Sequence, residues 1–213
     1  MERFISVMIG YVFGLLQTGD FYGKLHHVDI RREGSGNAGT TNALRTMGWK
    51  AGAVTFLGDC FKCVFAVLAV YLIYGDAKAD IFPLLKLYTG MGVILGHNFP
   101  FYLNFKGGKG IAATAGLLIS TVNIWLVLIC LAAFAGVVGI TKYVSVGSLA
   151  VVVIYFIGIV AYGQMGYFGM SFGALWEMYG VAAFLMILAF YRHRENINRL
   201  LSGTENKISV GKK

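Results

Sequence analysis

Residues 111–141 read IAATAGLLISTVNIWLVLICLAAFAGVVGIT, thirty-one positions without one charged side chain. As a single helix this run would extend about 46 Å at 1.5 Å per residue, well past the ~30 Å hydrocarbon core of a bilayer. Broken near Ser120-Thr121-Val122-Asn123, it becomes a hairpin of two crossings, one of them short. Which reading holds decides on which side of a membrane every later segment lies.

Further apolar runs near residues 3–22, 51–74, 82–103, 145–162 and 174–191 are each long enough for a helical crossing. With the hairpin the chain makes seven crossings, and segments 23–50, 104–110, 141–144 and 192–213 fall on one side. Those four segments hold fourteen of the eighteen Lys and Arg residues. A single crossing by 111–141 would move Lys142 and the six basic residues of the tail to the other side. Basic residues accumulate on the cytoplasmic side, so the charge pattern predicts seven transmembrane helices, an outside N-terminus and a cytoplasmic C-terminus.

Composition agrees. Hydrophobic residues make up 57% and charged residues 13% of the chain, where a soluble domain carries about 25% charged. Mean hydropathy is +0.69. Residues 1–213 form one all-α, membrane-embedded domain, with no room for a separate soluble one. The first apolar run has no small-residue cleavage site and is read as a span rather than a signal peptide. The formal charge of +8 raises nucleic acid as a partner. The basic residues lie beside spans instead of forming an extended soluble surface, which excludes it.

Cys60, Cys63 and Cys130 all sit within apolar runs. The Cys60-Phe61-Lys62-Cys63 spacing lacks the βαβ setting of a redox motif, so these are small residues at helix contacts. Asp59 and Lys62 are three apart within the second span and are read as a mutual pair, because an isolated charge in lipid is costly. Gly163–Gly169 is an outer loop with aromatic anchors and carries no chemistry.

Four segments on the basic side hold the chemistry. In Arg31–Asn42, closely spaced glycines allow backbone N–H groups to converge on an anion, and Ser35, Gly36, Asn37, Thr41 and Asn42 add donors. A helix starting between Asn37 and Asn42 aims its positive end at the same place, and Arg45 supplies a forked guanidinium. In Lys106–Gly110, the pair Gly107-Gly108 beside Lys109 opens a helix at Ile111 and forms a second phosphate cradle. Lys106 marks the membrane edge. His97, near the end of a span, is read first as a packed, hydrogen-bonded residue and second as catalytic. Ser145, entering the next helix, caps it or bonds a phosphate. His193 and Asn196 are three apart on one helical face, able to exchange a proton and to stabilise an oxyanion. Glu195 and Arg199 have the spacing of a surface ion pair.

Taken together, these segments resemble the bacterial acyl-phosphate-dependent glycerol-3-phosphate acyltransferases, the PlsY family. The resemblance rests on GSGNAGTTNALRTMGWKAG (34–52), GHNFPFYLNFKGGKGIAAT (96–114), KYVS (142–145) and YRHRENINRLLSGTE (191–205). Two departures stand beside it. Gly14-Leu15-Leu16-Gln17-Thr18-Gly19 replaces a Gly-Ser-Ile-Pro-like stretch in the first span, and Cys63 replaces the glycine of an Asp-x-x-Lys-Gly pattern. The resemblance implies a seven-helix enzyme of the bacterial plasma membrane with its active site at the cytoplasmic face. It implies acyl transfer from acyl phosphate to the 1-hydroxyl of glycerol 3-phosphate, giving lysophosphatidic acid for phospholipid synthesis. It further implies no metal or other cofactor, no thioester donor, and a functional link to a soluble enzyme that makes the acyl phosphate. No His is followed five positions later by Asp, so the His-x4-Asp motif of the other large glycerolipid acyltransferase group is absent. In this reading Lys109, Ser145 and Thr41 hold acyl phosphate, while Ser35, Arg45, His193 and Asn196 hold glycerol 3-phosphate. Either His193 or a substrate phosphate takes the hydroxyl proton. The rival reading is a membrane carrier for phosphorylated or anionic solutes, against which stand the missing internal repeat and the one-sided polar residues. A non-catalytic headgroup binder would leave two separate phosphate cradles unexplained.

Overall fold

The computed structural model describes residues 1–208. Among them the structure is all-helical: α1 (Glu2–Gly14), α2 (Thr18–Leu25), α3 (Thr40–Met47), α4 (Trp49–Tyr74), α5 (Phe82–Asn98), α6 (Ile111–Thr121), α7 (Ile124–Thr141), α8 (Val144–Gln164), α9 (Phe172–Arg192) and α10 (Arg194–Leu201). Six helical stretches are long and apolar enough to cross a membrane, the first of them Glu2–Leu25 taken across a break.

The long apolar run does break where its polar residues stand. α6 ends at Thr121 and α7 starts at Ile124, with the Asn123 side chain accepting from the Leu126 N–H as an N-cap. Tyr162 holds the same Asn123 oxygen at 2.8 Å, and Thr121 shares a 2.7 Å hydrogen bond with Tyr155. At eleven residues α6 is only about 17 Å long. It is buried against the middle of α4, where a Cβ at Gly116 would collide with the Cys60 carbonyl and Cys63. All three cysteines are free thiols; Cys60 and Cys63 are buried at this contact. In lipid, where the hydrophobic effect does not drive helices together, small residues let backbones approach and gain dispersion contact.

The tightest pairing, α1 against α5, uses the same device. Any Cβ at Gly10, Gly14, Gly92 or Gly96 would meet backbone of the facing helix. At the far end of that pair Arg3 bonds Glu177 of α9, at 2.5 and 2.8 Å, and Tyr88 donates to Glu177 at 2.7 Å.

One expectation needs correction. The first apolar run is not one continuous helix, because it opens at Leu15–Gln17, within the Gly-Leu-Leu-Gln-Thr-Gly stretch. The opening frees the carbonyls of Gly14 and Leu16, and both face the Lys62 ammonium, at 3.4 and 2.6 Å. Lys62 and Asp59 do pair, at 2.8 Å, with side chains 2% and 1% exposed. The pair is thus part of a larger buried network rather than an isolated one.

Candidate active site

The loop between α2 and α3 is tied down by one side chain. Asn42, 2% exposed, donates to the carbonyls of Ile30 and Glu33 at 3.0 and 2.9 Å and accepts from the Ser35 N–H at 2.9 Å. Gly34 passes over it at φ +58, where a Cβ would strike the Asn42 amide oxygen. Asn42 therefore shapes the loop, and its hydrogen-bonding capacity is largely spent there. The helix expected between Asn37 and Asn42 starts at Thr40, and its first N–H groups have no carbonyl within the helix to serve.

The second loop is clamped from two sides. The N–H groups of Gly107 and Gly108 donate to the carbonyls of Asn98 and His97, both at 3.1 Å. From α9, Arg192 donates to the carbonyls of Gly107 and Gly108 at 2.9 and 2.8 Å, with its guanidinium 5.1 Å from the Phe99 ring centroid. The glycine amides expected to cradle phosphate are thus already bonded, and the pair serves to fix the loop. What the loop presents is Lys109, whose ammonium donates to the Asn196 amide oxygen.

The third and fourth segments meet through a residue outside the expected set. Thr204 and Glu205 fold back on the Arg199 carbonyl. The Glu205 carboxylate then accepts from Ser145 at 2.9 Å, Asn196 at 2.6 Å and Arg199 at 2.7 Å. Arg199 pairs with Glu205, correcting the expected Glu195–Arg199 pair. α9 stops at Arg192 and α10 starts at Arg194, so His193 and Asn196 belong to no single helix, though both are buried and face one space.

That space is a cavity of about 460 Å³. Its polar end brings together Ser35, Asn37, Thr41, Asn42, Arg45, Lys109, Ser145, His193 and Asn196; Gly36, Gly107 and Gly108 do not line it. Thr40, Arg199 and Glu205 do, and sequence reasoning missed all three as site residues. Thr40 Oγ1 is buried without a hydrogen-bond partner among the described residues. The other end is apolar, running between α6, α7 and α8 past Leu118, Ile119, Val127, Leu131, Phe134 and Val151.

Electrostatics sharpen the polar end. Burial pulls the Lys109 ammonium down to about 8, nearby Arg199 adds to the fall, and Glu205 opposes it. Burial likewise lowers His193 to about 4, against the opposing effect of its hydrogen bond to Ala189 and with help from Lys109. The His193 Nδ1 lies 2.8 Å from the Ala189 carbonyl. A carbonyl only accepts, so Nδ1 carries the proton and Nε2 offers a lone pair. Burial pushes the Glu205 carboxyl up, but hydrogen bonds from Asn196, Arg199 and Ser145 outweigh it and keep the group below its usual range.

A partly buried cluster of cations and donors opening onto an apolar slot suits a phosphorylated substrate with a hydrocarbon tail. Relatives agree. The glycerol-3-phosphate acyltransferase profile matches residues 4–203. The glycerol-3-phosphate acyltransferase of Clostridioides difficile (strain 630) is 42% identical over 98% of this chain and 96% of its own length. That of Mycoplasmopsis synoviae (strain 53) is 39% identical over the full length of both. The crystal structure of PlsY, an integral membrane glycerol 3-phosphate acyltransferase, in its glycerol 3-phosphate form superposes with a TM-score of 0.82 at 30% identity, covering 98% of this chain and 96% of that one. Its lysophosphatidic acid form gives 0.80 at 29% identity. Between an enzyme and a solute carrier these similarities decide for the enzyme: the chain is an acyltransferase and belongs to the glycerol-3-phosphate acyltransferase family.

Proposed function

We propose that the enzyme transfers a fatty acyl group from acyl phosphate to the 1-hydroxyl of glycerol 3-phosphate, releasing lysophosphatidic acid and phosphate at the cytoplasmic face of a bacterial plasma membrane. The observation that carries this reading is that one cavity has both a cationic end and an apolar arm. Lys109, Ser145 and Thr41 hold the acyl phosphate; Ser35, Arg45, His193 and Asn196 hold glycerol 3-phosphate. The hydroxyl oxygen attacks the acyl carbon, the carbon–oxygen bond to phosphate breaks, and the phosphate leaves with its charge countered by Lys109. An acyl phosphate is already activated, so positioning and charge stabilisation are the main work left to the protein.

The proton's destination follows from basicity. An imidazole held near 4 is a poorer acceptor than a phosphate dianion, whose conjugate acid has a pKa of about 6. The departing phosphate therefore takes the proton of the 1-hydroxyl directly, while the His193 Nε2 accepts a hydrogen bond from the neighbouring 2-hydroxyl and so orients the substrate. His193→Gln, which keeps an acceptor, retains kcat within about tenfold of wild type, because general-base catalysis worth 10²–10⁴ is not lost. Over pH 5–9, kcat/KM shows no histidine limb near 6.5. It falls as pH rises through about 8, where Lys109 loses the charge it needs. A steep rise between pH 6 and 7 that disappears in His193→Gln would reverse the assignment, because the substrate phosphate titrates equally in both enzymes.

Purified protein in detergent, given acyl phosphate and labelled glycerol 3-phosphate, yields lysophosphatidic acid and inorganic phosphate in equal amounts, while acyl thioesters yield none. Folded protein that makes no product from acyl phosphate would overturn the donor assignment.

For topology we infer seven crossings, with α6 as the short one. Lys109 before α6 and Ser145 after α7 line one cavity end, whereas the α6–α7 turn bonds to Tyr155 and Tyr162 farther along α8. This supports an out-and-back path for residues 111–141. A membrane-impermeant thiol reagent applied outside intact cells reacts with a cysteine placed at Gly166 and not with one at Arg32. The opposite pattern inverts the orientation.

A further inference from the structure

The Lys62 ammonium occupies a cage inside the bundle that the proposed acyl transfer does not use. Its three protons have three close acceptors: the Leu16 carbonyl at 2.6 Å, Asp59 Oδ1 at 2.8 Å and His97 Nδ1 at 2.8 Å. The first exists because α1 opens at Leu15–Gln17. Gln17 adds a bond to the His97 carbonyl at 3.1 Å, and Thr18 donates to Asp59 at 3.1 Å. Because an ammonium donates, His97 must accept at Nδ1, which puts its proton on Nε2 and fixes the ring. The Nε2 edge of that ring is set against Gly108, where a Cβ would clash with Nε2. The His97 carbonyl accepts the Gly108 N–H at 3.1 Å. The next residue is Lys109. Both His97 and Asp59 also reach the cavity wall.

We infer that Lys62 is a positioning residue for acyl transfer: through His97 it fixes the loop 106–110 and thereby sets the Lys109 ammonium against the substrate phosphate. The inference rests on the assignment of Lys109 to that phosphate. A charged cage in lipid is a costly way to make a helix contact, since well-packed apolar residues of similar volume would hold the helices equally well. What such residues would not supply is a directed donor to His97 Nδ1.

The test separates position from folding. Removing Lys62 alone leaves Asp59 unpaired, so the variant of choice is Asp59→Asn/Lys62→Met, which removes both charges and keeps the volume. It is expected to melt near wild type in detergent, with kcat/KM lower by about 100-fold, the cost of a displacement near 1 Å at a catalytic group. In a Lys109→Ala background the same double change costs less than about threefold more, because the path through Lys109 is already lost. Glu177→Gln, which breaks the Arg3 contact at the other end of the bundle, lowers the melting temperature and leaves kcat/KM unchanged. If the double variant does not fold, His97→Phe, which leaves the Asp59–Lys62 pair in place, is measured in the same way. Wild-type kcat/KM in a folded variant, or fully additive losses with Lys109→Ala, would overturn the positioning role. A fully active Lys109→Ala would instead overturn the site assignment beneath it.

Discussion

Lys109→Ala lowers kcat/KM by about 10²–10³, the loss seen when one preorganised group that stabilises developing charge is removed, with the melting temperature nearly unchanged. The size of the effect comes from where the ammonium is held. It is half-buried, oriented by the Asn196 amide oxygen, and mounted on a loop whose preceding two residues are bonded through both N–H and carbonyl groups. In such a water-poor site a charge acts on a leaving phosphate far more strongly than it would in bulk water. The same burial lowers Lys109 to about 8. Lys109→Arg therefore restores part of the rate and abolishes the fall above pH 8, because a guanidinium does not titrate there. Steady-state assays of lysophosphatidic acid formation across pH 6–9.5 decide the matter. A Lys109→Ala enzyme within threefold of wild type would remove this residue from the chemistry.

Asp59→Ala destabilises the protein by about 3–5 kcal/mol, because it strands a buried ammonium without its countercharge. Arg32 and Asp29 also pair, at 3.2 Å, but are 85% and 40% exposed. Arg32→Ala is expected to cost well under about 1 kcal/mol, since exposed pairs contribute little. Denaturation in a fixed detergent, monitored by tryptophan fluorescence, compares the two. Equal losses would mean that the Asp59–Lys62 cage is solvated.

Much of this was legible in the chain. The break at Val122–Asn123 was readable because an uncharged 31-residue run exceeds a bilayer and carries its polar residues at the middle. Helix starts at Ile111 and within Asn37–Asn42 followed from glycine placement, and nine of the twelve expected site residues line one cavity. The misses share a cause. Glycine-rich spacing announces backbone freedom but does not say whether each N–H will be free, and those of Gly107 and Gly108 are taken by the upstream carbonyls of Asn98 and His97. Glu205 looked like part of a tail because nothing local requires the chain to fold back onto Arg199. Helical spacing alone suggested Glu195 as the partner of Arg199, whereas the turn after α10 brings Glu205 closer. The opening of α1 carries no glycine–proline signal, and it makes sense only with Lys62 packed beside it.

The apolar arm of the cavity reaches the outer surface of the bundle: Ile119 and Leu131 line it while being 54% and 61% exposed. For the acyl transfer proposed above, a fatty chain can slide in sideways from the hydrocarbon, and the product can depart the same way. For the long-chain substrate, the concentration that matters is then a mole fraction within the surrounding lipid or micelle rather than moles per litre of buffer. Adding inert detergent at constant total substrate slows the enzyme by surface dilution, while glycerol 3-phosphate, arriving from water, keeps its ordinary bulk dependence. Two substrates of one reaction thus obey laws of different dimensionality, two for the acyl donor and three for the acceptor.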